Sequence, residues 1–502
     1  MDFESILYGF EVALQLENLI FVFVGVLIGT AIGVLPGLGP GATIALLLPI
    51  TYTMSPATAL IMLAGIYYGS MYGGTITSVL LNIPGEAASV ITTIDGFQMA
   101  RQGRGGRALS IAAIGSFVGG LVSVVGLIFV AAPLAMFAVR IGPPEYAVLA
   151  LLGIALITKL SSGSLWKSVA IAALGLLLGS VGQDTFTGSL RLTFGVLELA
   201  DGFNFVVVAI GVFGIGEILY SLEQKRSGQA IKTKWKDVRP SRQDLKDSAG
   251  PIARGSVLGF GVGLLPGGGG VLSSILSYAW EKGRSKTPGR FGAGAIEGVA
   301  GPETANNASS TSAFVPLLTL GLPSNAVLAL LYGALLIQGI TPGPQLIQTS
   351  PEVFWGVIAS MVIGNVFLLV LNLPLVGMFT QLLRVRLSYL GPIAILVSLI
   401  GAYSLSNRIF DVWLVLFFGL LGYFMRKGGF DVAPFIIAFI LGPIMERAFR
   451  QSLLMSQDGV GIFAQRPISL IFLILIVLVF TMPSIRKLIS RLWRKSSRKL
   501  GE

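Results

Sequence analysis

Two stretches of the sequence decide the fold, GVLPGLGPGATIALLLPIT at residues 33–51 and VGLLPGGGGVLSSILSYAWE at residues 262–281. Each has proline and several glycines in the middle of an apolar run. Proline lacks the backbone N–H that a helix needs, and glycine accepts backbone conformations that other residues resist, so each stretch predicts a helix that stops and starts again. Later polar stretches, YGGTITSVLLNIPGEAAS at 72–89 and ANNASSTSAFVPLLTLGLPSNAV at 305–327, contain second breaks. This plan of two breaks therefore occurs twice, at an offset of about 230 residues.

The composition around these breaks is that of an integral membrane protein. The 502 residues are 54% hydrophobic and 12% charged, whereas a soluble domain has about 25% charged residues. Apolar runs of about 20 residues suit helices that cross a bilayer, since an open sheet edge is not stable in lipid. We predict an all-α polytopic membrane protein with about 10–12 spanning helices. The clearest predicted spans are residues 108–132, 144–158, 166–181, 203–221, 353–378, 389–405, 411–425, 430–446 and 466–483.

The distribution of basic residues predicts the topology. The net charge is +11, and most lysines and arginines fall in a few loops, which the positive-inside rule assigns to the cytoplasm. The basic charge therefore reflects topology, and nucleic-acid binding is disfavoured. Residues 1–17 contain acidic residues and no basic ones, so we expect the N-terminus outside. The predicted organisation is a first membrane repeat (1–221), a basic cytoplasmic linker (222–250), a second membrane repeat (251–485) and a basic cytoplasmic tail (486–502).

The same charges predict that the two repeats are inverted. The second hairpin, residues 251–280, lies between Lys246 and Lys282 and so enters from the cytoplasm, whereas the flanks of the first carry no basic residue. Inverted repeats with paired glycine- and proline-interrupted segments are the sequence pattern of secondary transporters that bind substrate near the bilayer midplane. The alternative for any single glycine is that it serves close helix packing.

The breaks and the polar runs beside them supply the predicted binding residues. Helix N-termini after a break suit a carboxylate, and exposed carbonyl groups suit a cation. Interhelical hydrogen bonding is the alternative for an isolated hydroxyl, but it explains the density of polar residues poorly. The predicted substrate-binding residues are Gly37, Gly39, Gly41, Thr75, Ser78, Asn82, Pro84, Gly85, Gly267, Gly268, Gly269, Asn306, Asn307, Ser309, Ser310, Thr311, Pro323 and Ser324.

Ion coupling has four candidate residues, Glu86, Glu303, Asn307 and Ser310, because a carboxylate at membrane depth is a functional hypothesis by default. Asp95 adjoins a basic loop and is expected at the interface. The chain has no histidine and no cysteine, which removes imidazole and thiolate metal ligands and histidine-activated nucleophiles. We therefore expect no enzyme, no metal site and no cofactor. Sodium is favoured over protons as the coupling ion because the breaks are rich in oxygen atoms.

The quoted motifs, with YYGSMYGGTITSVLLNIPGEAASVITTIDGFQMARQGRGGRAL at 67–109 and GPETANNASSTSAFVPLLTLGLPSNA at 301–326, resemble the large membrane subunit of the tripartite tricarboxylate transporters, the TctA family. The resemblance extends from Gly25 to about Gly442. It implies an importer of the bacterial inner membrane that is driven by an ion gradient. It also implies two partners, a small four-helix membrane subunit and a periplasmic solute-binding protein that delivers a di- or tricarboxylate.

Two other classes of transport protein stay open at this point. A free-standing ion-coupled carrier would use the same breaks without a binding protein, and an anion channel would use polar breaks as a filter. A membrane-embedded enzyme would need clustered acidic ligands or a nucleophile with its base, and the sequence contains no such cluster.

Overall fold

A computed structural model describes residues 3–35, 38–161, 164–224, 231, 238–382 and 387–481. The described chain is built from helices, and a two-stranded antiparallel hairpin pairs β1 (Gly182–Gln183) with β2 (Leu190–Arg191). The prediction of an all-α polytopic protein is therefore confirmed.

The helices before the predicted linker are α1 (Phe3–Ala13), α2 (Leu16–Val34), α3 (Pro40–Thr51), α4 (Pro56–Leu81), α5 (Val90–Arg101), α6 (Gly105–Ala138), α7 (Pro143–Leu160), α8 (Leu165–Gly179), α9 (Phe205–Ala209) and α10 (Gly216–Glu223). A turn of π-helix, Ile210–Ile215, joins α9 to α10. Short 3-10 helices cover Ala87–Ser89 and Leu197–Leu199.

The helices after the linker are α11 (Arg242–Gly263), α12 (Gly269–Arg284), α13 (Glu297–Ser312), α14 (Phe314–Leu320), α15 (Ala326–Ile337), α16 (Leu346–Thr349), α17 (Pro351–Asn372), α18 (Val376–Leu382), α19 (Leu387–Ser406), α20 (Ile409–Lys427), α21 (Ala433–Leu454), α22 (Ile462–Gln465) and α23 (Pro467–Thr481). Because α11 begins at Arg242, residues 242–250 of the predicted linker are helical. The predicted span 353–378 also differs, since α17 ends at Asn372.

Seven helices of the described chain are long and apolar enough to cross a membrane. The count rises to eight if the segment Gly459–Gln465 and α23, which meet at 88°, form one bent span. Three shorter apolar helices, α3, α8 and α15, lie below the length of a full span. The predicted ten to twelve spans therefore require some shorter or more polar helices to cross as well.

Local sequence explains where the long helices begin. Ser55 accepts a hydrogen bond from the Thr58 backbone N–H, and Pro56 occupies the first helical position of α4, where its missing N–H costs nothing. Ser241 and Asp244 cap each other's backbone at the start of α11. Each of these helices therefore begins at a point that its own capping side chains define.

The structure contains the predicted breaks in both halves. In the first half α2 ends at Val34 and α3 begins at Pro40, and in the second half α11 ends at Gly263 and α12 begins at Gly269. The second breaks match in detail. Asn82 ends α4 with a φ of 57°, and Gly321 ends α14 with a φ of 68°, so both use the left-handed conformation.

Glycines pack the two long helices of each half against each other. In α2, Gly25, Gly29 and Gly33 lie so close to α4 that an added Cβ would come within 2.3–2.4 Å of its carbonyl oxygens. In α11, glycines with the same spacing approach α13, where the corresponding distances are 2.3–2.7 Å. Small residues spaced four apart permit this close approach of two helices. The packing explanation is therefore correct for these glycines.

Candidate functional site

The polar run at residues 301–312 forms part of α13, in which every residue from Gly298 to Ser312 is buried. Its neighbours are other helices of the protein, among them α6, α11 and α12. Some of its hydroxyl groups bond within the helix, and Ser310, for example, donates to the Asn306 carbonyl at 3.0 Å. Ser309 makes a second contact, 3.0 Å from the hydroxyl of Ser273 in α12. The run is thus a continuous helix inside the protein, and the breaks lie beside it.

Glu303 lies at the centre of the buried polar residues, with a relative exposure of 1%. The Thr75 hydroxyl donates to its Oε2 at 2.6 Å, and the Thr92 hydroxyl donates to its Oε1. Both threonines belong to the first half of the chain. Among the residues that the structure describes, Glu303 makes no ion pair with a lysine or an arginine. This carboxylate therefore lacks a protein cation to balance a negative charge.

Asn307 lies one turn after Glu303 and contacts α6. Its Nδ2 donates to the Ser116 Oγ at 2.7 Å and to the Glu303 carbonyl at 3.1 Å. The two predicted coupling residues and a hydroxyl from the first half are therefore neighbours.

Glu86, the second predicted acidic residue, lies in the break that follows α4. Its Oε2 accepts from the Ala88 backbone N–H at 2.7 Å, and its Oε1 accepts from the Asn306 Nδ2 at 3.1 Å. The Oδ1 of Asn306 is buried, and no residue that the structure describes hydrogen-bonds to it. Glu86 thus caps a short helix of the first half and holds an amide of the second half.

A reciprocal contact joins the second break of the second half, the GLPSN segment, to the first half. The Asn325 Nδ2 donates to the Tyr67 hydroxyl at 2.9 Å, while its side chain caps α15. Asn325 occupies the same position in GLPSN as Glu86 does in NIPGE, and Tyr67 precedes its break by the same number of residues as Asn306 does. Such reciprocal pairing is expected when two units are related by a two-fold axis. The inverted arrangement itself stays a prediction.

The two first breaks have different partners. The Gly39 N–H, at the start of α3, donates to the Glu217 Oε1 at 3.0 Å. Arg426 lies 3.4 Å from the other oxygen of Glu217. In the second half the Gly267 N–H donates to the Ser324 carbonyl at 2.9 Å, so there the two breaks touch each other. One helix N-terminus thus already binds a carboxylate of the protein.

The structure brings some predicted residues together and separates others. Hydrogen bonds join Thr75 to Glu303, Asn306 to Glu86, and Gly267 to Ser324. Gly41 instead faces Phe213, and the Ser78 hydroxyl bonds to its own helix. Gly37 lies outside the described residues. The remaining predicted residues lie in or beside the breaks and α13, namely Asn82, Pro84, Gly85, Gly268, Gly269, Thr311 and Pro323.

Asp95 lies inside the protein, and its expected place at the membrane interface stays a prediction. Its side chain has an exposure of 0%, and its Oδ1 accepts from the backbone N–H groups of Gly292, Gly294 and Ala295 at 2.8–2.9 Å. Its Oδ2 accepts from the Tyr278 hydroxyl at 2.8 Å. Asp95 therefore joins α5 to the loop before α13, because the loop turns its N–H groups towards one carboxylate oxygen.

Sequence reasoning missed several residues of the site. Thr92, Ser116, Tyr67 and Asn325 supply contacts across the halves, and nothing local marks them. Glu217 could have been found, since it is an acidic residue inside the predicted span 203–221 and such residues are functional candidates.

Comparison with known proteins gives the family. The family model described as the tripartite tricarboxylate transporter TctA family matches residues 19–437. A protein of Agrobacterium vitis called "Uncharacterized 52.8 kDa protein in TAR-I ttuC' 3'region" is 48% identical over 481 residues, covering 95% of this chain and 96% of the relative. A second A. vitis protein, "Uncharacterized protein in TAR-II ttuC' 3'region", is 46% identical over 228 residues, covering 45% of this chain and 94% of the relative. No solved structure matches the chain. The chain is a multi-pass membrane protein and belongs to the TctA family of the tripartite tricarboxylate transporters.

Proposed function

We propose that this chain is the large membrane subunit of a secondary transporter that imports di- or tricarboxylates across the bacterial inner membrane. In this proposal a periplasmic solute-binding protein delivers the substrate, a small four-helix membrane subunit completes the complex, and a sodium or proton gradient drives uptake. The chain alternates between outward-open and inward-open states.

The observation that carries the proposal is that the second break of each half contacts a polar helix residue of the other half. Glu86 reaches Asn306 of the second half, and Asn325 reaches Tyr67 of the first half. Broken helices free backbone groups at membrane depth, and such groups are tolerated only where protein, water or a ligand satisfies them. Polar breaks that each contact the other repeat therefore support a binding site between the repeats.

The chemistry of the breaks supports a carboxylate as the substrate. The start of α3 holds the carboxylate of Glu217 through the Gly39 N–H, the kind of contact by which helix N-termini bind anions. The polar groups of α13 and the second breaks are mainly hydroxyls and amides. Neutral donors hold an anion less tightly than paired arginines do, which suits a site that must release its substrate.

Two carboxylates between the halves support ion coupling, the buried Glu303 and the partly buried Glu86. Glu303 and Glu86 have no lysine or arginine ion pair among the described residues, so a mobile cation or a proton would balance their charge. A carboxylate of this kind at membrane depth is the usual seat of an ion pathway. Sodium is the preferred ion, and a proton bound by Glu303 or Glu86 is the alternative.

Uptake into proteoliposomes tests the proposal. The vesicles contain this chain and its small subunit, and radiolabelled citrate is offered with and without the binding protein and an inward sodium gradient. We expect uptake that needs both. The equivalent variants Asn306→Ala and Asn325→Ala should both lower it, whereas Thr319→Val should not, because the Thr319 hydroxyl bonds only to the Val315 carbonyl of its own helix.

Two outcomes would replace the proposal. Saturable uptake that is indifferent to the binding protein would indicate a free-standing carrier. Measurable conductance without saturable uptake would indicate an anion channel.

A further inference from the structure

A small cavity lies beside Glu303, between α4, α6 and the end of α17. Its volume is about 10 Å³, at the lower end of what a cavity needs to hold one water molecule. The polar residues that line it are Tyr72, Thr75, Ser116 and Asn372, and the others are apolar. The cavity is thus large enough for one water molecule or one small ion.

The hydrogen bonds of these residues leave oxygen acceptors at the cavity. The Thr75 hydroxyl donates to Glu303, and the Tyr72 hydroxyl donates to the Asn365 Oδ1 at 2.8 Å. The Asn372 Nδ2 donates to the Leu368 carbonyl at 3.0 Å. Each of these side chains therefore gives its proton to a partner outside the cavity, while its oxygen lone pairs are available.

Two oxygen atoms at the cavity have lone pairs that could coordinate a cation. Among the described residues the Oδ1 of Asn372 has no hydrogen-bond partner, and this atom is buried in a residue that is 5% exposed. A buried acceptor in that state costs free energy unless something binds it. The Ser116 Oγ accepts from the Asn307 Nδ2 and has a second lone pair to offer. Both residues line the same cavity.

The nearest acidic group supplies a negative charge. Glu303 is joined to the cavity through Thr75, and no lysine or arginine pairs with it among the described residues. Within the same residues no three acidic side chains approach closely enough to hold a metal ion together. One carboxylate with several neutral oxygens favours a monovalent cation over a divalent one.

We infer that this cavity is the binding site of the coupling cation, a single Na⁺ held by oxygens of Thr75, Ser116 and Asn372 with Glu303 balancing its charge. The inference rests on the proposed function and names the place of the ion within it. Thr75 and Ser116 come from the first half, whereas Asn372 and Glu303 come from the second. Bound sodium would therefore favour the conformation in which these halves meet, which is how an ion couples to a movement.

Sodium binding can be measured without transport. The purified full-length protein in detergent is melted in increasing NaCl, with choline chloride holding the ionic strength constant, and KCl serves as a second cation. We expect a rise in melting temperature that is specific for sodium. Asn372→Leu and Thr75→Val should raise the sodium concentration at half effect by about tenfold or more. Glu303→Gln should abolish the effect.

Two variants control for damage to the fold. Thr319→Val removes a buried hydroxyl that does not line the cavity and should leave the sodium response unchanged. Asn372→Asp keeps the oxygen ligand and should retain a sodium response that Asn372→Leu loses. An equal sodium-dependent rise in melting temperature in wild type and Asn372→Leu would overturn the inference. A melting temperature that depends on pH but not on sodium would also overturn it.

The failure of the inference and that of the proposed function are distinguishable. Sodium-dependent citrate uptake with an unchanged sodium response in Asn372→Leu would leave the transport function intact and place the ion elsewhere. A sodium response that depends on Asn372, in a protein that takes up no carboxylate, would support the cation site and refute the proposed import.

Discussion

Gly259 in α11 tests whether close glycine packing positions the polar helix α13. A Cβ at this residue would lie 2.4 Å from the Ala305 carbonyl oxygen and 2.8 Å from the Ala308 Cβ. Carbon and oxygen normally approach no closer than about 3.3 Å, so Gly259→Ala would push the helices apart by about 0.9 Å at this point. Overpacking of this kind costs about 1–3 kcal/mol.

Gly261 is the matched control, because it lies in the same helix and a Cβ there would meet nothing within 4 Å. The intrinsic helix propensity of alanine is more favourable than that of glycine by about 1 kcal/mol, and this gain is the same in both variants. The difference in unfolding free energy between Gly259→Ala and Gly261→Ala therefore isolates the packing cost, about 1–3 kcal/mol.

The assay is thermal unfolding of the purified variants, followed by citrate uptake. We expect Gly259→Ala to melt below Gly261→Ala and to lose uptake, since Ala305 immediately precedes Asn306. Gly29→Ala should behave like Gly259→Ala, because its Cβ would lie 2.4 Å from the Ile66 carbonyl oxygen. Equal stability of Gly259→Ala and Gly261→Ala would refute the packing argument.

Three further predictions concern acidic residues. Asp95→Ala should destabilise the protein by at least about 1–3 kcal/mol, because backbone N–H groups lose their acceptor, while Asp95→Asn keeps an acceptor and should melt closer to wild type. Glu86→Ala should lower the melting temperature more than Glu86→Gln, since only glutamine can still accept the bond from Asn306; equal melting would contradict this role. Hydrogen bonds from the Thr187 and Phe186 backbone, with nearby arginines, lower the pKa of Asp184 to about 2. The pKa of Asp184 in the folded protein lies below the usual value of about 3.9. The ionised side chain therefore stabilises the fold above a pH of about 3.9, and this contribution is lost as the pH falls towards 2. Melting curves of wild type and Asp184→Asn should therefore converge across this pH window, and a constant gap would count against the pKa shift.

Much of the architecture was predictable because it depends on neighbours in the chain. Every predicted span contains or overlaps a helix, and the positions of the breaks follow from Pro266 and from the NIPGE and GLPSN segments. The choice of Glu303 as a candidate followed from one rule, the cost of a carboxylate at membrane depth. Gly41 and Ser78 were predicted to bind substrate, yet the structure places one against an aromatic ring and bonds the other to its own helix.

The sequence by itself determined the membrane class, the repeated plan of breaks and the polar runs beside them, because periodicity, proline and glycine act within a few residues of the chain. Only the tertiary structure decided the partners, such as Thr92 with Glu303, Asn325 with Tyr67, and the side chains that surround the cavity at Asn372. Those residues are far apart in the chain and become neighbours only when the helices of both halves pack together. Hydrogen bonds depend on distance and direction, and the packing of the helices sets both.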